Sequence, residues 1–229
     1  MIVIDIECSG INKSINGIWQ IGAYELENPS NTFLMESSID EDDEVHQSAL
    51  KVIGKTESEL RDKSKMSQKE LIQKFFEWSA KVPSKNIIAQ NPLFDVGFLE
   101  AKSTKYELHN IRAVGGPEAF PFPYRNFDLH VVAQTVYHRI KGEFLWKKET
   151  NASDMGLSNI LEFCGIGDHR RKVHNGKIVQ EGAAHNALED AKLTGEAFSR
   201  LIYGKNLLEE FREFAVPEYL LKNSEEEQK

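Results

Sequence analysis

The sequence predicts an α/β domain in which helices pack on a mixed β-sheet. Three observations point there. Apolar, β-branched runs at 2–7, 18–26 and 32–39 read as three consecutive strands. Helical patterns then alternate with two further short strands, the order of a layered α/β domain. Finally, 40% of the 229 residues are hydrophobic, enough to bury a sizeable core without disulfides or structural metal.

The elements follow in order. Ile2, Ile4 and Ile6 alternate with Val3, Asp5 and Glu7 in the first strand. Asn28-Pro29-Ser30-Asn31 has turn chemistry and would join the second and third strands into a β-meander. A long acidic loop follows. Ser67 with Glu70 spells a capping box, after which Leu71, Ile72, Phe75 and Phe76 line one helix face. Residues 87–90 form a short buried strand. Asn91-Pro92 opens a helix through Phe94, Phe98 and Leu99, with Asn as cap and Pro in the first turn. Residues 114–126 carry Gly115, Gly116, Pro117, Pro121 and Pro123 and form a loop. Phe127-Asp128 is the last short strand, followed by a helix through Ile140. A short helix runs from Leu157 to about Gly165. Residues 173–178 form a hairpin around Asn175-Gly176. A long helix starts near Asn186 and reaches about Ile202, and a short one precedes Pro217. One domain covers 1–215, and 216–229 is a partly disordered tail.

Composition narrows the class. The formal net charge is −8, with five acids at 40–44 and three more at 225–227. Both runs read as solvated, so the local sign near a site matters more than the total. Two cysteines, Cys8 and Cys164, are no disulfide framework and fit a reducing compartment. The N-terminus has no signal-peptide pattern, and no stretch approaches membrane-spanning length. A cytoplasmic location without membrane attachment is the expectation.

Residues two apart on a strand share a face, so Asp5 and Glu7 emerge together while Ile2, Ile4 and Ile6 face the other way. Paired carboxylates on an apolar strand are costly unless water or a divalent cation relieves them. Asp95 falls in the first turn of its helix, where the helix dipole also stabilises an acid. His185 precedes the long helix and is free to swing. Asn186 caps that helix, Glu189 can complete a capping box, and Asp190 sits at the edge of the packing stripe of Ala187, Ala191, Thr194 and Phe198.

Taken together, Asp5-Ile6-Glu7, Asn91-Pro92-Leu93-Phe94-Asp95 and the His185 to Asp190 segment match Asp-x-Glu, Asn-x-x-Phe-Asp and His-x-Ala-x-x-Asp, in that order. In this the chain resembles the DEDDh 3′→5′ exonucleases, the family of the bacterial proofreading subunit, RNase T and oligoribonuclease. The resemblance implies an RNase H-like fold and a 3′→5′ exonuclease acting on single-stranded DNA or RNA ends. It implies two divalent ions, Mg²⁺ or Mn²⁺, held by Asp5, Glu7, Asp95 and Asp190, with His185 taking the proton of the attacking water. Ser9, Gly10, Ile11 and Asn91 would touch the terminal nucleotide. Gln90 and Ser9 depart from residues frequent in the family at those positions, though neither change removes a catalytic group.

Other features stay open. The basic stretch 169–177 either meets phosphates or is a solvated hairpin. Phe120, Phe122, Tyr124 and Arg125 either stack on bases or pin their loop to the core. Phe144, Trp146, Lys147 and Lys148 offer a substrate wall or a partner surface. Two further functions compete with the exonuclease: a catalytically silent nucleic-acid-binding or scaffold subunit, and a hydrolase of small phosphate esters.

Overall fold

A computed structural model describes residues 1–109, 119–174 and 176–221. Its main sheet is built from β1 (Ile2–Cys8), β2 (Ile18–Glu25), β3 (Asn28–Ser38), β4 (Met66–Ser67), β5 (Ile87–Ala89) and β6 (Phe127–Asp128). They lie in the order β4-β3-β2-β1-β5-β6. The meander β1–β2–β3 is antiparallel, whereas β5 joins β1, and β6 joins β5, in parallel. This mixed sheet with helices on both faces is the RNase H-like architecture.

The alternation in β1 sorts the two cores. Ile2, Ile4 and Ile6 pack on α3 (Gln68–Lys81) and α4 (Pro92–Lys105), through Leu71, Phe75 and Phe98. Val3, on the face of Asp5 and Glu7, joins Tyr24 and Ile88 against α5 (Leu129–Lys141), α6 (Leu157–Phe163) and α7 (Ala187–Tyr203).

Helix α7 lies directly on β2. A side chain on Gly22 would place its Cβ 2.0 Å from the backbone nitrogen of Leu188, and one on Gly195 would meet the Tyr24 hydroxyl at 1.7 Å. The Gln20 side-chain oxygen accepts from the Ala187 amide at 2.8 Å, and Asn186 caps the helix by accepting from Leu188 and Glu189. Glu189 does not complete a capping box; it pairs with Lys192 at 3.0 Å. Farther along, fully buried Arg200 pairs with Glu196 at 2.8 Å and donates to the carbonyls of Cys164, Phe211 and Phe214. Glu196 in turn accepts from the amides of Leu207 and Leu208. This clasp closes the C-terminal segment over α7, and Leu220 is 2% exposed.

Several expectations need correction. The β2–β3 turn lies at Leu26-Glu27, and Asn28 to Asn31 belong to β3. Glu25 pairs with Asn28 but Tyr24 with Thr32, a bulge that accommodates Pro29. The region expected as a long loop contains α1 (Gln47–Ile53) and α2 (Glu57–Leu60), and the complete capping box is Thr56 with Glu59. Ser67 accepts from the Glu70 amide at 3.2 Å as expected of a cap. The acidic run is solvated at Glu41, Asp42 and Glu44 as expected, but not throughout. Asp43 is 3% exposed, ion-paired with buried Lys102, and accepts from Gln68. Lys63 and Lys105 neutralise Glu41, Asp40 and Asp42. Lysines of α4 lie over the returning chain, and sequence order cannot show that encounter. The expectations for 114–118, Asn175 and the tail 222–229 lie outside the described residues.

Candidate active site

Three distant parts of the chain meet at the β1 side of the sheet. Strand β1 presents Asp5 and Glu7, and the strand's register slips just after Glu7. Helix α4 brings Asp95, whose Oδ1 accepts from the Ile6 amide at 3.1 Å and so ties the helix to the strand. Helix α7 brings Asp190, and the turn before it brings His185. Glu7, Asp95 and Asp190 are 7%, 3% and 3% exposed.

Burial dominates the electrostatics, and crowding adds to it. Burial, then the charges of Asp190, Glu7 and Asp95, raise the Asp5 carboxyl well above its ordinary value. Burial and Asp190 push Glu7 up to about 8, and burial pushes Asp95 up to about 8. Carboxylates assembled at such cost are relieved by a proton or by a compensating cation. Glu7 Oε1 and Asp190 Oδ1 are buried and have no hydrogen-bond partner among the described residues. Ligand atoms of Glu7, His185 and Asp190 lie within 4.8 Å of one another. Carboxylate oxygens with one imidazole at their edge suit a hard divalent cation.

His185 is not free to swing. Its Nδ1 lies 3.0 Å from Asp190 Oδ2, and its Nε2 donates to the Arg171 carbonyl at 3.0 Å. Burial pulls its pKa down, but the hydrogen bond and charge of Asp190 and the charge of Glu7 outweigh this and raise it. With both ring nitrogens facing acceptors, this is the arrangement of an imidazolium.

Beside Glu7 opens a cavity of about 430 Å³ lined by Gly10, Ile11, His46, Ala49, Val52 and Phe94, among others. Gly10 and Ile11 therefore stand where a ligand of the carboxylates would reach, and Ile11 is 82% exposed. Ser9 does not. It is fully buried, donating its hydroxyl to the Glu44 carbonyl at 2.6 Å and accepting from the Gly17 amide at 2.8 Å. The Ser9 hydroxyl braces the loop behind it. Asn91 also differs from expectation. It starts α4 with φ 65° and makes no side-chain cap, leaving the exposed amide unused by the helix.

Two contributors escaped the sequence. Helix α1 walls the cavity, and its Val52 carbonyl accepts from the His185 amide at 3.1 Å. Leu50, Ile53 and the terminal Gly54 were a readable helix signal, overshadowed by the acidic run before them. Arg170 is the second, 9% exposed and bonded to Asp190 at 3.1 Å. The rest of the basic stretch forms hairpin β7 (Lys172–His174) and β8 (Lys177–Gln180) leaning on α1, where Lys51 donates to the Gly176 carbonyl at 2.6 Å. Phe122 packs on Phe75 and Phe76, so it pins its loop, whereas Tyr124 is 97% exposed. Phe144 and Trp146 stand half exposed on another surface.

The family described as exonuclease, of RNase T type, matches residues 2–116. No curated protein sequence matches. Solved structures with the same fold include cell-death related nuclease 4, at 13% identity and TM-score 0.59, covering 90% of this chain and 64% of that one. E. coli exonuclease I in complex with single-stranded DNA and zinc aligns at 17% identity and TM-score 0.61, over 89% of this chain and 40% of that one. The nuclease domain of 3′hExo, a DEDDh family member bound to rAMP, aligns at 13% identity and TM-score 0.56, over 90% of this chain and 93% of that domain. The chain thus spans under half the length of exonuclease I. Among the described residues no helix is long and apolar enough to cross a membrane.

Proposed function

Because the chain belongs to the RNase T exonuclease family, we propose that it is a metal-dependent 3′→5′ exonuclease releasing nucleoside 5′-monophosphates from single-stranded DNA or RNA. The observation that carries this reading is the convergence of Asp5, Glu7, Asp95, Asp190 and His185, with two buried carboxylate oxygens unpartnered among the described residues. Asp5, Glu7, Asp95 and Asp190 would hold two divalent ions, Mg²⁺ or Mn²⁺. Such ions neutralise the carboxylates and stabilise negative charge on the phosphate oxygens.

The remaining work belongs to the chain. Gly10, Ile11 and Phe94 line the space for the terminal nucleoside, whereas Asn91 stands outside that lining, in a second pocket with Gln90 and His130. His185 takes the proton of the attacking water as the neutral ring, at Nδ1, after that nitrogen has passed its own proton to solvent and left Asp190. The P–O bond to the preceding 3′ oxygen breaks, and that oxygen takes a proton from solvent, leaving a chain one nucleotide shorter with a free 3′-hydroxyl.

5′-labelled single-stranded DNA and RNA of one sequence, incubated with Mg²⁺ or with EDTA, test this directly. A ladder shortening from the 3′ end only with metal is the expected result, and the faster substrate names the preference. His185→Ala should slow that ladder by about a hundredfold. Intact substrates under all conditions would leave a binding role in place of an enzymatic one.

A further inference from the structure

We propose that Arg170 is a positioning residue for Asp190, fixing one oxygen of that carboxylate so that the other is presented as a cation ligand. This rests on the exonuclease reading of the site and concerns a residue outside its three sequence motifs.

The guanidinium is itself held in place. Asp168 accepts from Arg170 Nε at 2.9 Å, from Nη2 at 3.2 Å and from the Arg170 amide at 3.1 Å. The Ser158 hydroxyl donates to Asp168 Oδ2 at 2.6 Å and fixes that carboxylate in turn. The planar fork is thereby oriented, and Nη1 points to Asp190 Oδ2 at 3.1 Å. His185 Nδ1 approaches the same oxygen at 3.0 Å. Gripped from two sides at Oδ2, the carboxylate cannot rotate freely, and Oδ1 is the buried oxygen without a partner among the described residues.

The backbone adds a second tie. Arg170 bridges to Ala183, and the Arg171 amide donates to the Ala183 carbonyl at 2.8 Å, two residues before His185. One short ladder therefore sets both groups that grip Asp190. Arg170 is too enclosed, at 9% exposure, to meet a phosphate itself. Its positive charge also offsets part of the crowding felt by Asp5 and Glu7.

Groups that orient a metal ligand typically change metal affinity about ten- to hundredfold when removed. The test is titration calorimetry of Mn²⁺ into the purified full chain, run beside turnover of a labelled single-stranded oligonucleotide at varied Mn²⁺. Arg170→Met should raise the half-saturating Mn²⁺ concentration about ten- to hundredfold in both readouts, with turnover largely recovered at saturation. Arg170→Lys, which keeps the charge but not the fork, should fall between. A lower melting temperature with an unmoved Mn²⁺ midpoint would make Arg170 a structural ion pair and overturn the proposal. If Arg170→Met does not fold, Asp168→Asn gives the same readout: a higher midpoint supports the role, and an unchanged one overturns it. Wild-type protein that neither binds Mn²⁺ nor degrades the oligonucleotide would overturn both readings. A wild type that does both, beside an indifferent variant, removes only the arginine's role.

Discussion

Asp5→Asn is expected to lower nuclease turnover by about a thousandfold while raising the melting temperature measured in EDTA. The first effect is the loss of a charged oxygen donor between Glu7 and Asp190, worth about 4 kcal/mol of transition-state stabilisation. The second follows from what surrounds it. Asp5 lies among Glu7, Asp95 and Asp190, and the three like charges add to burial in raising its pKa. An amide of the same shape removes that repulsion without changing the packing. Opposite signs for activity and stability mark a group kept for chemistry at the expense of the fold. Unchanged turnover, or a melting temperature lowered in EDTA, would show that Asp5 is not the crowded centre of this site.

Gly22→Val should destabilise the protein by about 3 kcal/mol and abolish activity with it. The register places Gly22 opposite Asp5, and the first turn of α7 rests on the bare backbone there. Even a methyl group would lie 2.0 Å from the Leu188 nitrogen and 2.2 Å from the Ala187 carbonyl carbon. Those atoms are backbone, so no rotamer change relieves the collision. The helix must lift, and Asp190 and His185 lift with it. Urea denaturation would read the stability, and the oligonucleotide ladder the activity. A variant with wild-type midpoint and wild-type ladder would mean that α7 does not seat on β2 as described.

Local signals made the central elements legible. The alternation of β1, the Asn-Pro start of α4 and the Asn cap of α7 are each written in a few adjacent residues, and each carries one part of the acidic site. Their convergence was expected from the ordered motifs rather than from any single one. What was missed depends on encounters between distant residues. Ser9 has the hydroxyl of a substrate contact, but the Glu44 carbonyl and Gly17 amide occupy it. Asp43 stands in a run of acids, yet Lys102 and Gln68 reach it from two helices. Arg170 looked like one charge of a basic stretch until Asp168 turned its guanidinium inward. Helix α1 was hidden because composition outweighed a short pattern with its own terminal glycine.

The order in which the sheet is filled has a consequence for synthesis. Asp5 leaves the ribosome 185 residues ahead of Asp190. Buried Arg200 waits longer still for the carbonyls of Phe211 and Phe214. Domains are completed in the order their parts emerge. The carboxylates of β1 therefore wait through the synthesis of every intervening element for their α7 partner, and a growing chain carries no assembled acidic centre until α7 has emerged.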